Sequence, residues 1–361
     1  MAVLDHNSQT FSVFDTAGMP RELVAAWIDC DNTLTGDFRR DCETFSRRWA
    51  MGAELLVSLP AKPARSDAQS ATAVTIFERD RAARAAFLDL HVESLYRRLT
   101  ADFVKFKRVD DLVSDAAAAV PGLVPDDKQL SHDNALPQKD KDGFEIDQGI
   151  FLSRVLGHQQ CGMHLCHAML LPRAEAAEHS RHFRHSEKIE FRGATLERRG
   201  KAAQVTMRNP RYLNAEDEST LDGLEIAIDV ATLDPTIDIA ILRGDIVEHT
   251  KYRGRRLFSA GINLTHLYQG KIGYLWYIRR DMGLVNKLFR GVATHDASPD
   301  ELIGATTEKP WVGVVEGFAI GGGCQLLLAL DYVLAASDAY MTLPARKEGI
   351  IPGAANLRLW R

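Results

Sequence analysis

Cysteine is sparse. The chain has five in 361 residues, an odd number at irregular spacing, which is no disulfide framework of a small secreted domain. Free thiols in a reducing compartment are the simpler reading. No apolar run approaches the length needed to cross a bilayer, and Met1 to Pro20 has neither a basic n-region nor an apolar h-region, so the expected location is cytoplasmic. An excess of positive charge is also missing. With 44 Lys and Arg against 49 Asp and Glu, the formal net charge of −5 gives no basic field for nucleic acid. There is no internal repeat, and low complexity is confined to short Ala-rich patches. What the chain does have is 45% hydrophobic residues over a length sufficient for two cores, which predicts globular folding throughout.

Two regions of different pattern are expected, 1–189 and 190–361. The first is rich in Ala, Arg, Asp, Glu and Leu, with few β-branched runs. Phe77 to Val109 repeats apolar residues at helical spacing (Phe87, Leu88, Leu90, Val92, Leu95, Leu99), and Phe151 to Leu171 does so less regularly. Pro121 to Gly149, with Pro121-Gly122 and Lys139-Asp140-Lys141-Asp142-Gly143, reads as a long polar loop between helices. This half is expected to be all-α. From Glu190 the pattern changes. Ala194–Arg198 and Ala203–Met207 alternate around Gly200-Lys201, predicting a hairpin. Glu216 to Leu233 reads as an amphipathic helix, and Ile237–Leu242, Trp311–Val315 and Tyr332–Ala336 read as strands. Strands alternating with helices imply βαβ units, an α/β class whose ligands collect at strand ends.

Two short segments carry the chemistry. Phe258-Ser259-Ala260-Gly261-Ile262-Asn263 and Gly317-Phe318-Ala319-Ile320-Gly321-Gly322-Gly323-Cys324-Gln325 are apolar runs that break into small residues. The second then enters a helical pattern. Three glycines at a helix entrance leave backbone N–H groups open to close approach by a ligand. Two such donors from separate loops make an oxyanion hole, which stabilises negative charge developing on a carbonyl oxygen.

In this order and spacing the two loops resemble the signature loops of the crotonase (enoyl-CoA hydratase/isomerase) superfamily. The resemblance runs over about residues 190 to 361, through Lys309-Pro310-Trp311-Val312-Gly313-Val314-Val315-Glu316-Gly317 and Leu343 to Gly353. It implies a crotonase-like ββα spiral core preceded by the all-α domain. The long N-terminal region is similar to one branch, the 3,5-dihydroxyphenylacetyl-CoA 1,2-dioxygenases of glycopeptide-antibiotic biosynthesis. Relatives continue past Trp360-Arg361 with further helices that complete the pocket and the oligomer, so those helices are expected to be missing here. By the same resemblance the protein is a homo-oligomer, trimer or hexamer.

Residue by residue, the resemblance implies oxyanion donors at the N–H groups of Ile262 and Gly322, flanked by Ala260, Gly261, Asn263, Leu264 and Gly323. Hydratases of the family carry one glutamate three residues after the middle glycine and another in a Pro-Glu step before Gly-x-Ile-Pro-Gly; here Gln325 and Ala345 stand there. Neither is a useful base, so addition of water is disfavoured. The branch instead implies enolate formation, direct reaction with O2 without metal or flavin, and release of CoA and an α-keto acid. Another crotonase reaction (hydratase, isomerase or thioesterase), or a CoA-thioester-binding subunit that has lost catalysis, is the alternative.

Several roles keep more than one reading. Glu216 is either an acceptor for a substrate phenol or a first-turn acid at a helix N-terminus. Arg280 either contacts the acyl group, organises Glu216, or is a solvated helical arginine. Arg211, before Tyr212, is a CoA phosphate contact or a surface residue. Gln325, Ile350 and Ile351 would shape a dry acyl and O2 pocket.

Two further signals are weighed and set aside. Asp29-Cys30-Asp31-Asn32-Thr33 matches the Asp-x-Asp-x-Thr nucleophile motif of haloacid-dehalogenase phosphatases, but the surrounding residues read as helices and a cap at Thr35 or Asp37. His158, Cys161, His164, Cys166 and His167 form a dense group in which a Zn²⁺ site is conceivable, although core packing explains it at least as well. His179, His182 and His185 read as a helix face at the domain boundary.

Overall fold

The computed structural model describes residues 13–30, 33–300 and 306–344. They divide into two compact units, 1–165 and 166–361. The expected boundary at 189/190 lies further along the chain, because residues 166–183 belong with the second unit.

Among the described residues the first unit is all helix: α1 (Arg21–Asp29), α2 (Phe38–Val57), α3 (Asp67–Leu99), α4 (Val109–Ala119), α5 (Asp127–Asn134), α6 (Glu145–Gly157) and the start of α7 (Gln159–Leu170). Three of these starts are capped by side chains. Asp37 caps α2 by accepting the Arg40 N–H, while Ser66 and Gln69 form a capping box on α3. Pro121–Gly149 is not one long loop. Asp126 and Gln129 make a second capping box that opens α5, and α6 begins at Glu145. Helical propensity released by a cap outweighed the Pro and Gly that suggested a loop.

Asp29 ends α1 rather than a strand, and no strand occurs among the described residues before Lys188. The phosphatase motif therefore lacks its sheet. Thr35 instead turns its hydroxyl and N–H onto Asp41, at 2.7 and 3.0 Å, and His91 reaches the same carboxylate at 2.7 Å. The metal-like cluster is also committed elsewhere. His164 bonds Tyr96 Oη through Nδ1 and Phe103 O through Nε2, both at 2.9 Å. His158 Nε2 lies 3.4 Å from Glu93. Among the described residues no group of three His, Cys, Asp or Glu side chains is placed to hold a metal ion. No described helix is long and apolar enough to cross a membrane.

The second unit is α/β. α8 (Ala176–Phe183) precedes β1 (Lys188–Phe191), β2 (Ala194–Arg199) and β3 (Ala202–Met207), an antiparallel meander of which sequence pattern predicts the last two strands. His179 sets its ring edge against Phe191. α9 (Leu221–Leu233) leads to β4 (Ile239–Gly244). After α10 (Leu264–Tyr268), α11 (Tyr274–Ile278), a π-helical turn (Arg279–Val285) and α12 (Asn286–Arg290) come β5 (Val292–Ala293), β6 (Thr306–Thr307) and β7 (Trp311–Val315). β8 (Phe318–Ile320), α13 (Gly322–Ala329), β9 (Tyr332–Ala335) and β10 (Tyr340–Thr342) complete the described chain. The main sheet runs β1-β2-β3-β4-β7-β9, parallel from β3 onward, and β8 pairs with β10 in a small parallel sheet. α9 lays Leu224, Ala227, Ile228 and Ala231 into one core with Leu196, Val205, Leu242 and Trp311. Lys287 of α12 is wholly buried between Glu225 and Asp229 of α9, at 2.8 and 2.7 Å. Burial pushes the Asp229 carboxyl up against the pull of Lys287.

Asp41 supplies a stability test for the first unit. Burial opposes its charge, but bonds from Thr35, His91 and Gly36 prevail and hold its carboxyl at about 2, below the usual 3.8. A depressed carboxyl stabilises the fold above its unfolded value and loses that contribution as pH falls through the folded one. Asp41→Ala strands the buried His91 ring and removes the shared acceptor of Thr35 and Gly36, so it should cost about 1–3 kcal/mol at pH 7 in denaturant titration. The gap from wild type should narrow between pH 4 and pH 2, as the contribution of the depressed carboxyl is lost. An equal gap at pH 7 and pH 2 would contradict this account.

Candidate active site

The first small-residue loop is held by its neighbours' backbones. The Phe258 and Ser259 N–H groups donate to Phe318 O at 3.1 and 3.4 Å, and Ile320 N–H returns to Ser259 O at 3.0 Å. The chain then turns at Gly261, whose φ of +84° is the left-handed region that glycine enters without strain. Ser259 Oγ takes the Gly261 N–H at 3.0 Å. On the other side, Glu216 N–H donates to Gly261 O at 2.7 Å and Asn263 N–H to Glu216 O at 2.8 Å. This is a one-residue parallel bridge between Glu216 and Ile262. Such a bridge uses the groups flanking Ile262 and turns its own N–H to the opposite side.

The second loop presents a matching donor. Gly321 adopts φ 52° and ψ −115°, and Gly322 is the first residue of α13. Among the described residues, neither the Ile262 nor the Gly322 N–H donates to a protein acceptor. The loops touch: a Cβ on Gly261 would stand 2.6 Å from Ile320 O and 2.9 Å from Gly322 N. A Cβ on Gly322 would stand 2.8 Å from Glu216 Oε1 and 3.2 Å from Arg280 Nη2. Both positions exclude side chains because backbone and an ion pair already fill the space.

That ion pair is the centre of the site. The π-helical turn presents Arg280, whose Nε and Nη2 donate to Glu216 Oε2 and Oε1 at 2.7 and 3.0 Å. Nη2 also donates to Gly322 O at 2.9 Å, and Nη1 to Gln325 Oε1 at 3.1 Å. Burial opposes the guanidinium charge, but Glu216 and then Asp281 outweigh it and raise the Arg280 pKa above its ordinary value. Glu216 and Arg280 are 4% and 1% exposed, so this is a desolvated, bidentate pair. Of the earlier readings, Arg280 organises Glu216 and is not a solvated helical residue. Glu216 lies five residues before α9 begins at Leu221, in the bridge to Ile262, and is not a first-turn helix acid.

Ile262, Gly322, Glu216, Arg280 and Gln325 thus converge, with Ala260, Gly261 and Gly323 forming the backbone between them. Gly323 abuts Ser259, where a Cβ would meet the carbonyl at 2.9 Å. Asn263 spends its amide within the protein: Nδ2 donates to Asp217 at 2.8 Å and Oδ1 accepts the His266 N–H at 3.2 Å. Leu264 is 60% exposed in the first turn of α10. Arg211 is exposed, its guanidinium 5.6 Å from the Tyr212 ring centre. Ile350, Ile351 and Ala345 lie outside the described residues.

Two contributors were not visible in sequence. Asn214 sits in the left-handed region at φ 55°, donating to Asp245 O at 2.7 Å and Leu257 O at 2.9 Å while accepting the Asn209 N–H at 3.0 Å. It stitches the Glu216 segment to the end of β4 and to the entrance of the first loop. Asp217 accepts from Ser219 and Asn263, bonds that offset its burial and hold its pKa below the usual value. The only sequence signal for Asn214 was its residue type, which tolerates positive φ.

Removing one partner of the pair should be far worse than removing both charges. Arg280→Met leaves Glu216 buried and uncompensated, a loss of about 3–5 kcal/mol at pH 7 by denaturant unfolding. Glu216→Gln combined with Arg280→Met should recover more than half of it. If the double variant is as unstable as the sum of the singles, the pair is not the linkage described.

Residues 197–361 match the family model described as enoyl-CoA hydratase/isomerase. The (3,5-dihydroxyphenyl)acetyl-CoA 1,2-dioxygenase of Amycolatopsis orientalis is 45% identical over 309 residues, 85% of this chain and 70% of that one. That alignment is longer than the family stretch, so the likeness extends into the helical unit. The short-chain-enoyl-CoA hydratase of Clostridium acetobutylicum is 31% identical over 166 residues, 46% of this chain and 54% of its own. The chain therefore spans about half the length of that hydratase. A solved enoyl-CoA hydratase from Thermoplasma volcanium GSS1 has 22% identity and a TM-score of 0.37, over 47% of this chain and 58% of that one, a superposition too partial to carry weight. The paired glycine loops, the family match and the long 45% identity lead to one assignment: the chain belongs to the enoyl-CoA hydratase/isomerase (crotonase) family, enzymes that act on CoA thioesters.

Proposed function

We propose that this protein converts 3,5-dihydroxyphenylacetyl-CoA and O2 to 3,5-dihydroxyphenylglyoxylate and CoA without metal or flavin, as a step in glycopeptide-type antibiotic biosynthesis. The observation that carries the reading is Gln325. It stands one turn into α13, where hydratases of the family place an acid, and its Oε1 is bound by Arg280 at 3.1 Å. That position offers no carboxylate to move the protons of water. The similarity to the dioxygenase supports the same choice.

Loss of a benzylic proton leaves a carbanion shared by thioester and ring. Its charge on the thioester oxygen would sit between the Ile262 and Gly322 N–H groups, where preorganised donors act most strongly. An electron passes to O2, and the resulting radicals join in a bond between the α-carbon and oxygen. The distal peroxide oxygen attacks the thioester carbonyl and the C–S bond breaks, releasing CoA thiolate. Cleavage of the O–O bond with loss of the remaining α-hydrogen forms the ketone, so both oxygen atoms finish in the α-keto acid. Glu216, with both oxygens fixed by Arg280, keeps lone pairs for a substrate phenol. Arg211 would contact CoA phosphate, and Ile350 and Ile351 would line the O2 side. A homo-oligomer, trimer or hexamer, is part of the same proposal.

Incubation with 3,5-dihydroxyphenylacetyl-CoA under air and under argon tests it. CoA release should track O2 uptake one to one and stop under argon. Release independent of O2 would indicate a thioesterase, and turnover of crotonyl-CoA a hydratase. Activity should also survive dialysis against EDTA, and a rate restored only by added iron or copper would overturn the metal-free route. Gly322→Val should slow turnover roughly 10²–10³-fold, about 2.7–4 kcal/mol, with CoA affinity changed far less. A folded variant at near-normal rate would make this loop structural only.

A further inference from the structure

Glu216 and Asp217 are neighbours in the segment that bridges to Ile262, and their side chains leave it in different directions. Glu216 goes to Arg280. Asp217, 1% exposed, goes to a second set of partners that the proposed reaction does not use. Its Oδ2 accepts from Asn263 Nδ2 at 2.8 Å and Asn209 Nδ2 at 3.1 Å, and lies 2.9 Å from His266 Nδ1. Its Oδ1 accepts the Ser219 N–H at 2.9 Å and the Ser219 hydroxyl at 2.6 Å. Burial opposes the Asp217 charge, but bonds from Ser219 and Asn263 and the nearby His266 hold its carboxyl below the usual range. An ionised carboxylate only accepts, so the ring nitrogen facing it carries the proton and His266 donates through Nδ1.

These partners close on the residue after Ile262. Asn263 N–H donates to Glu216 O and its Nδ2 to Asp217, while its Oδ1 accepts the His266 N–H and so caps α10. The His266 ring then returns to Asp217 and sets its edge against Tyr212, 4.9 Å between centres. Asp217, Asn263 and His266 thus form a closed circuit of bonds. The Ile262 N–H belongs to the peptide that follows Gly261, where the φ of +84° leaves no side chain to restrict the turn. Glu216 N–H holds that peptide at Gly261 O, and beyond Ile262 the chain is held through Asn263.

We propose that Asp217 and His266 are positioning residues that act through Asn263 to fix the direction of the Ile262 N–H. The two bridged segments are then clamped twice, through Glu216 by Arg280 and through Asn263 by Asp217. The inference rests on the proposed oxyanion role of that N–H and not on the reaction with O2.

The test reads hydrogen bonds to the thioester directly, by infrared spectroscopy under argon of phenylacetyl-CoA, isotopically labelled at its carbonyl and bound to the full chain. Wild type should lower the carbonyl stretch relative to the free thioester. Asp217→Asn and His266→Phe should each lose part of that shift. The first removes the charge that gathers these donors, and the second keeps a ring against Tyr212 but no N–H. His266→Asn, whose amide can donate from the place of Nδ1, should restore the shift. In turnover of 3,5-dihydroxyphenylacetyl-CoA, Asp217→Asn and His266→Phe should lower kcat about tenfold or more and leave KM within about twofold. A merely structural role would lower the thermal midpoint and leave the stretch and the kcat of folded protein as in wild type. If Asp217→Asn does not fold, the two His266 variants decide. An unchanged stretch in His266→Phe, no recovery in His266→Asn, a rise in KM alone, or a wild type that leaves the carbonyl unshifted would each overturn the proposal. A wild type that shifts the carbonyl yet takes up no O2 would sink the dioxygenase reading and leave this inference standing.

Discussion

The buried pair of Arg280 and Glu216 is the contact on which the rest of the site depends. A buried ion pair is weak evidence of stability, since desolvating two charges costs about as much as their attraction returns. Its value here is geometric. One guanidinium fork grips both oxygens of Glu216, the carbonyl of Gly322 and the amide of Gln325. Glu216 in turn brackets Ile262 through two backbone bonds. A side chain on the π-helical turn therefore sets the spacing of two loops about sixty residues apart in sequence. Backbone bonds between Ser259 and the Phe318–Ile320 strand join the two loops directly, and the pair adds a second tie from Glu216 to Gly322.

The glycines are the counterpart of that clamp. Gly261 and Gly322 approach so closely that a methyl on either would strike backbone or the pair itself. Packing this tight fixes the two donors in place, the condition under which such groups act on a developing charge without reorganisation. The same crowding explains Gln325. A carboxylate there would join Glu216 and Asp281 around one guanidinium, leaving three negative charges to share one positive. A neutral amide accepts the Arg280 bond without adding charge, which is consistent with chemistry that needs no second acid.

The helical unit solves its own burial problem in a different way. Arg48 with Asp80, and Arg81 with Asp147, tie α1, α2, α3 and α6 together beneath aromatic rings. In the α/β unit, Lys287 does the equivalent between α12 and α9. Sequence composition shows the abundance of Arg and Asp but not these pairings, since partners such as Arg81 and Asp147 are separated by two helices and a loop.

Short-range signals were readable from the chain alone. Alternation marked β2 and β3, a five-residue apolar run marked β7, and helical spacing marked most of α3. The glycine loops pointed to two open donors through their pairing, order and spacing, since a lone glycine-rich turn serves tight helix–strand packing as well. Caps were missed where turn residues crowded them, as at Asp126, and the start of α9 was set five residues early because Glu216 continues an amphipathic pattern while its backbone bonds Gly261. Periodicity reports what a segment prefers locally, and a backbone partner arriving from residue 261 overrides that preference. Thus the amino-acid order by itself determined many of the elements, the class of fold, and which residue types stand at the acid positions. Only the tertiary structure decided that Arg280 belongs to Glu216, that Asn214 stitches three segments, and that Ile262 and Gly322 keep their N–H groups unspent. Those outcomes depend on distance and direction between remote segments, which the spacing of residues along a chain does not encode.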